Sequence, residues 1–507
     1  MLSRVLSASL YGIEAHLVEV EVDVASRGLP HFLMVGLPDA SVRESRDRVR
    51  AALKNVGYEF PLKPITINLA PAELRKEGAA FDLPIALGLV AAQGLLEPQA
   101  LQGHLFAGEL SLDGRLKPIR GALSVALLAR QKGLKLVLPR DNASEAAVVQ
   151  DATVLGAESL PQVVHYLRGE GELQRYEFTS TLAESACRYE EDFADVLGQE
   201  HAKRALEVAA AGGHNVLMIG PPGAGKTMLA RRLPGILPPM SFEEALQSTQ
   251  VHSVAGLLQG ALLCHRPFRA PHHTISDVAL IGGGQYPRPG EVSLAHNGVL
   301  FLDELPEFKR SVLEVLRQPL EDGEVVISRA SASVRYPARF MLVAAMNPCP
   351  CGYLGDARHH CSCSPLQIGR YRSRVSGPLL DRIDIHLEVP AVPYKELAAP
   401  ARPERSQAVR QRVIRAREVQ LQRLRPLGRY CNAQMRSRHI RRFCQEALTE
   451  EASRLLQTAL ERLGLSARAH SRVLKLARTI ADMEGSERIQ APHVAEAVQY
   501  RTLDRPL

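Results

Sequence analysis

Eight consecutive residues carry the sharpest chemical signal in this chain. Gly220, Pro221, Pro222, Gly223, Ala224, Gly225, Lys226 and Thr227 spell G-x-x-x-x-G-K-[ST]. Such a loop lets backbone N–H groups close around phosphate oxygens where a helix begins. Lys226 then reaches the β- and γ-phosphates of a nucleotide, and the Thr227 hydroxyl ligates Mg²⁺. A second constellation lies 76 residues beyond Thr227, where the apolar run Val299–Leu302 ends in Asp303 and Glu304. Asp303 suits the Mg²⁺ shell and Glu304 can polarise an attacking water. Asn347 ends a third apolar run, Phe340–Met346, and can orient that water from beside the γ-phosphate. Arg382 follows Gly377-Pro-Leu-Leu-Asp381. It can reach the nucleotide of a neighbouring subunit, or it can form a surface pair with Asp381 or Asp384. Cys349, Cys351, Cys361 and Cys363 form two C-x-C pairs. Four thiolates can close a tetrahedral Zn²⁺ site, with His359 and His360 as spare donors. Reduced thiols in a loop and a redox-sensitive disulfide are the alternatives.

These residues need elements to hold them. Asn215–Ile219 reads as a buried strand and Met228–Leu233 as the helix after the loop. Between residues 193 and 390 apolar strands alternate with helical patterns, which predicts α/β architecture with a parallel sheet and crossover helices. Before it, residues 1–168 mix strands (His16–Val24, Ile65–Leu69, Leu134–Leu138) with helices (Ser41–Val56, Leu83–Leu95). The polar stretch 169–192 reads as a linker, and so does the Pro/Ala-rich stretch 391–406. Residues 407–507 carry helical spacing over Gln407–Leu424, Ser437–Leu463, Ala467–Met483 and Ala491–Tyr500.

Composition agrees with this division. The chain has 507 residues, enough for about three domains at ~150 residues each. Hydrophobic residues are 46% and charged residues 23%, which excludes a disordered or fibrous chain. The longest apolar stretch, Pro84–Leu96, is broken by Gln93 and falls short of the ~20 residues of a membrane span. Arg4 and Glu14 with no small-residue cleavage site give no secretory leader, so a soluble, cytoplasmic protein is expected. Net charge is +7, yet from Ala401 onward 22 Lys and Arg face 11 Asp and Glu, a balance of +11 that leaves the first 400 residues at −4. A basic tail points to a polyanionic partner. A solvated Arg-rich helical surface explains the charge equally well.

The P-loop, Asp-Glu strand, Asn strand tip and Leu-Leu-Asp-Arg segment, in this order, resemble the AAA+ ATPases. Within them the chain is similar to the magnesium-chelatase-like group and, over essentially its whole length, to the ComM/YifB family. The strings that carry this resemblance are Arg269-Ala-Pro-His-His-Thr274, Pro287-Arg-Pro-Gly-Glu-Val-Ser-Leu-Ala-His-Asn297 and Asn347-Pro-Cys-Pro-Cys-Gly352. The resemblance implies a homo-hexameric, ATP- and Mg²⁺-dependent DNA helicase that drives branch migration during natural transformation. It implies that the hairpins 281–291 and 325–336 project into a central pore, with Arg329 and Arg335 as phosphate contacts or as plain solvated arginines. It implies that residues 407–507 form the lid, where Ser466-Ala-Arg468-Ala469 places Arg468 on the γ-phosphate.

The N-terminal region resembles the Lon-protease domain. Arg75-Lys-Glu-Gly-Ala-Ala-Phe-Asp82 matches the segment that carries its Ser, and Ala80 stands there instead. Gly114-Arg-Leu-Lys-Pro-Ile-Arg-Gly-Ala-Leu123 matches the segment that carries its Lys, and Leu123 stands there instead. Ala has no nucleophilic atom and Leu takes no proton, so the domain is expected to be inactive and to serve assembly or DNA handling. Two other functions compete with the DNA motor: a metal-insertion subunit, as in true magnesium chelatase, and a protein-remodelling ring.

Overall fold

The computed structural model describes residues 1–178, 189–284, 287–329, 332–356, 359–392, 404–463 and 466–501. The chain folds into two compact units. One comprises 1–186, 242–264 and 328–336; the other comprises 187–241, 265–327 and 337–507.

The first unit holds two four-stranded sheets. Leu2–Tyr11, Glu14–Val24, Ile65–Ala70 and Phe32–Val35 form one in that order; Gln174–Tyr176, Val154–Ala157, Lys135–Pro139 and His104–Phe106 form the other. The alternation that predicted a strand from His16 is real, since Val18, Val20, Val22 and Val24 all turn into the core. The sequence hid its partner, Leu2–Tyr11, because that strand's inward positions include Ser3, Ser7 and Ser9, all buried. Ser3 is satisfied by donating to the Gly88 carbonyl at 2.7 Å. Gly88 belongs to the helix Asp82–Ala92, which is buried at every position. Part of the stretch expected as a linker is an edge strand: Gln174–Tyr176 pairs antiparallel with Val154–Ala157. Residues 179–188 of that stretch lie outside the described residues. The helix Phe242–Ala255 belongs to this unit, where Gln250 donates to the Ile13 carbonyl at 2.7 Å.

The second unit is built on a five-stranded parallel sheet, ordered Phe268–Arg269, Val299–Leu302, Met341–Met346, Val216–Ile219, Ile385–Glu388. Its three central strands are buried at every residue, as continuous apolar runs in a parallel sheet require. Helices Ser406–Leu424, Glu450–Leu463, Ala467–Met483 and Ala491–Gln499 complete it. Residues 393–403 of the second expected linker lie outside the described residues. The single helix expected over Ser437–Leu463 is broken. A π-turn over Arg441–Gln445 ends the first piece, and Thr449 starts the second. The Thr449 hydroxyl accepts from the Ala452 N–H at 3.3 Å, and Glu450 and Glu451 occupy the first turn, where the helix dipole favours them. No helix among the described residues is long and apolar enough to cross a membrane.

Candidate functional site

Parallel strands put their C-terminal ends on one edge of a sheet, and loops leaving that edge form the site. Val216–Ile219, Val299–Leu302 and Met341–Met346 are parallel neighbours, with Ile219 opposite Met346 and Leu302 opposite Ala344. Residues 220–227, Asp303, Glu304 and Asn347 all leave this edge. The structure therefore gathers the sequence-read nucleotide residues in one place.

The local contacts explain the residue types. A Cβ on Gly220 would stand 2.0 Å from the Val389 carbonyl oxygen, so the loop needs glycine there. Gly225 has φ +86°, the left-handed turn that launches the helix Lys226–Ile236. Lys226 is buried and folded back: its ammonium donates to the carbonyls of Gly220 at 2.7 Å and Pro221 at 2.9 Å, and to Asn347 Oδ1 at 3.2 Å. Burial lowers its pKa, against the opposing pull of Asp303 and Glu304. The Thr227 hydroxyl donates to Asp303 Oδ2 at 2.6 Å, so the two candidate Mg²⁺ ligands stand together. Hard oxygen donors of this kind, with phosphate oxygens and water, suit Mg²⁺.

Glu304 is the strained residue of the group. Its φ of +52° lies in the left-handed region, uncommon for a residue with a Cβ. Its carboxylate is 58% exposed and lies 3.2 Å from His273 Nδ1. Sequence reading missed His273. It sits in the Arg269–Thr274 string just after the edge strand Phe268–Arg269, which pairs with the Asp-Glu strand. A polar residue on that neighbouring strand tip was the available signal. Gln199 was missed as well: held at φ +60°, it donates to the Pro390 carbonyl at 2.6 Å and to the Ala224 carbonyl of the loop at 3.5 Å.

Arg382 and Arg468 are not part of this edge. Ile385–Glu388 runs parallel to Val216–Ile219, with Ile385 opposite Val216. Arg382 precedes that strand, and its carbonyl accepts from Asn215 Nδ2 at 2.9 Å. It therefore stands at the opposite edge, about 10–13 Å along the strands from the loop at ~3.3 Å per residue. The alternative of a surface pair with Asp381 or Asp384 is not formed among the described residues. Arg382 pairs with Glu321 and donates to the Pro378 carbonyl at 2.6 Å, and its Nε is buried without a partner among the described residues. The two aspartates are taken by the helix Ala467–Met483. Asp381 pairs with Arg468 at 2.7 Å, and Asp384 pairs with Arg472 and with His214 Nδ1 at 3.0 Å. Burial by itself would raise the Asp384 carboxyl; Arg472 and His214 overcome it and hold that carboxyl well below the usual range. Arg468 thus stands beside Arg382 and away from the chain's own loop.

The four cysteines converge. Cys349 Sγ lies 3.4 Å from Cys351 Sγ and 3.7 Å from Cys361 Sγ, and Cys351 and Cys361 are 3.6 Å apart. All four sulfurs lie within 4.8 Å of one another. Four thiolates at ~2.3 Å around one zinc ion would be spaced about 3.8 Å apart, so the donor set fits Zn²⁺. The described cysteines are free thiols. Backbone N–H groups of Tyr353 and Ser362 help bring the Cys351 thiol down to about 6. His359 turns toward Asp356, at 3.5 Å, and neither His359 nor His360 joins the sulfur cluster. The cluster borders the nucleotide loop: a Cβ on Gly352 would meet Pro222 Cδ at 2.7 Å.

The remaining candidates are placed as follows. Glu324–Arg329 and Ala332–Pro337 form a two-stranded ribbon on which Arg335 is exposed; the Arg329 side chain lies outside the described residues. Gly282–Gly283 and Arg288–Pro289 form the other hairpin, whose tip residues Gln285 and Tyr286 are also outside them. Arg269 braces its base by a two-pronged pair with Glu291 at 2.6 and 2.8 Å. In the first unit, Ala80 lies in a 3-10 turn and Leu123 is fully buried, its N–H donating to Glu145 Oε1 at 2.9 Å.

Known proteins place the chain. The family models described as magnesium chelatase subunit ChlI match residues 192–397 and 20–142, and the model of its C-terminal part matches 403–501. Competence protein ComM of Haemophilus influenzae is 48% identical over 100% of this chain and 98% of its own length. The uncharacterized protein YifB of Escherichia coli K12 is also 48% identical, with the same coverage. The magnesium-chelatase 38 kDa subunit of Cereibacter sphaeroides is 28% identical over 31% of this chain and 52% of its own.

Proposed function

The chain belongs to the ComM/YifB family of magnesium-chelatase-like AAA+ ATPases, and on that premise we propose that it is an ATP-driven, homo-hexameric DNA helicase promoting branch migration as transforming DNA is integrated. The observation that supports a ring is the separation of Arg382 and Arg468 from the nucleotide edge. One chain carries the phosphate cradle on one edge of its sheet and two arginines on the other. A head-to-tail neighbour would bring the second set to the first.

The roles follow from position. Backbone amides of 220–225 and Lys226 bind the phosphates, for which Lys226 must leave its present carbonyl partners. Thr227 and Asp303 hold Mg²⁺, which when bound neutralises charge on the phosphate oxygens. Glu304 orients the attacking water and accepts its proton, and Asn347, 3.2 Å from Lys226, fixes the geometry around the γ-phosphate. Arg382 and Arg468 of a neighbour stabilise charge in the transition state. Arg329 and Arg335 contact DNA phosphates. The first unit, without a Ser-Lys pair, serves assembly or DNA handling.

The test is ATP turnover with and without single-stranded and forked DNA, together with strand exchange on a branched substrate. DNA-stimulated turnover and branch movement support the reading. Stimulation by unfolded polypeptide, or by porphyrin-bearing partners and not by DNA, replaces it with protein remodelling or metal insertion. Elemental analysis should find about one Zn²⁺ per chain on the four thiolates. None in protein kept reduced and free of chelators rejects that site.

A further inference from the structure

Beyond the hairpins, one surface of the second unit concentrates positive charge without neutralising it. Arg429, Arg436 and Arg438 lie on the segment between the helices Ser406–Leu424 and Ala467–Met483, and Arg339 lies just before the strand Met341–Met346. Arg436, Arg339 and Arg438 all lie within electrostatic reach of Arg429. Burial first, and then these three cations, hold the Arg429 guanidinium below its ordinary value. Among the described residues none of the four pairs with a carboxylate. This contrasts with Arg412, Arg423, Arg468, Arg472 and Arg478 nearby in sequence, each of which has one. Arg438 Nε meets only the ring of His439, at 3.0 Å. Arg429 Nε is buried with no hydrogen-bond partner among the described residues. A donor out of contact with water and a knot of like charges are both relieved by one kind of ligand, an anion with several oxygens.

We propose that Arg339, Arg429, Arg436 and Arg438 form a phosphate-binding site for the backbone of single-stranded nucleic acid, with Tyr430 as a stacking platform. Tyr430 follows Arg429 directly and is 38% exposed, a large aromatic next in the chain to one of the cations. Charge that tracks a backbone, combined with an aromatic face that accepts any base, is how single strands are held without sequence preference. The site lies away from the chain's own nucleotide. Cys431 packs where a Cβ on Gly213 would stand, 2.8 Å away, at the start of the Val216–Ile219 strand, and Arg339 precedes its parallel neighbour. The cluster therefore borders the edge opposite residues 220–227. This inference rests on the DNA-motor reading and adds a contact surface to it.

The experiment measures binding of a labelled single-stranded oligonucleotide by the full chain across a series of salt concentrations. Arg436→Ala/Arg438→Ala is compared with Arg454→Ala/Arg462→Ala, which removes the same charge from the helix Glu450–Leu463. Each phosphate contact on a single strand contributes ~0.7 to the slope of log K against log salt, so the first variant should lose about 1.4 from that slope and the second none. Tyr430→Ala should weaken the single strand on the order of tenfold, and duplex of equal length much less. Equal losses in both double variants would reduce the effect to net charge and overturn the site. So would an unchanged slope in the first variant while wild type binds. Reduced ATP affinity with unaltered oligonucleotide affinity would hand the cluster to a neighbour's nucleotide and also overturn it. Failure of wild type to bind either form of DNA would instead remove the motor reading, and the site with it.

Discussion

The two edges of the parallel sheet in the second unit are built differently. At the C-terminal edge, the chemical groups stand on or just after the loops that leave the strands, and they meet one another: Lys226 with Asn347, Thr227 with Asp303. At the N-terminal edge, the charges come from segments far apart in the chain. Glu321 meets Arg382, Arg468 meets Asp381, and Arg472 and His214 meet Asp384. One edge gathers its groups from strand ends that lie side by side; the other is a set of cations and aspartates that tie the helix Ala467–Met483 to the sheet. Groups that follow neighbouring strands can be read from short stretches of sequence, whereas the charge pairs of the opposite edge are assembled by the fold.

The sharpest way to break this contrast is Arg382→Ala. If Arg382 completes a neighbour's site, the variant binds ATP but loses ~10³–10⁵ in turnover, and mixing with Lys226→Ala recovers part of it. Confirmed hexamers that recover nothing on mixing would confine Arg382 to its pair with Glu321. Next in size is Glu304→Gln, which should keep ATP affinity and lose ~10²–10⁴ in turnover, read by nucleotide binding and phosphate release.

Asp384→Asn probes the opposite edge as structure. It leaves the half-buried Arg472 beside a neutral group in place of a buried carboxylate, and stability to urea at pH 7 should fall by ~3–5 kcal/mol. A carboxyl held below its unfolded value contributes stability above about pH 3.9, lost as pH falls toward the folded value, so the acid limb below about pH 4 should be shallower in the variant. The smallest effect belongs to Asp381→Asn. Arg468 is 71% exposed there, and such pairs contribute only ~0.2–1 kcal/mol, so thermal unfolding should hardly move. A large loss would make this pair part of the scaffold.

This contrast also decides what could be read without coordinates. Residues 220–227, Asp303, Glu304 and Asn347 were legible because apolar runs predict strands and parallel strands fix where their ends lie. The Cys349–Cys363 group was legible because short spacing guarantees proximity. The partners of Arg382 and Arg468 were not: Asp381 and Asp384 are near in sequence, but the helix Ala467–Met483 claims both. The N-terminal strand was hidden by inward serines, of which Ser3 and Ser9 donate their hydroxyls to backbone carbonyls. The break at Thr449 was hidden because both flanking segments keep helical spacing, and only the Thr449-Glu450-Glu451 start signal marks it. His273 lay inside a string noticed for its rarity alone.

The left-handed backbone at Glu304 sets activity against durability. Holding a non-glycine residue there costs on the order of 1–3 kcal/mol, while glycine or asparagine would take the same conformation more cheaply. At this single position, the substitutions that relax the fold are those that delete the carboxylate or draw it back. Engineering this protein for heat resistance alone would therefore drift toward a sturdier chain that holds nucleotide and no longer turns it over.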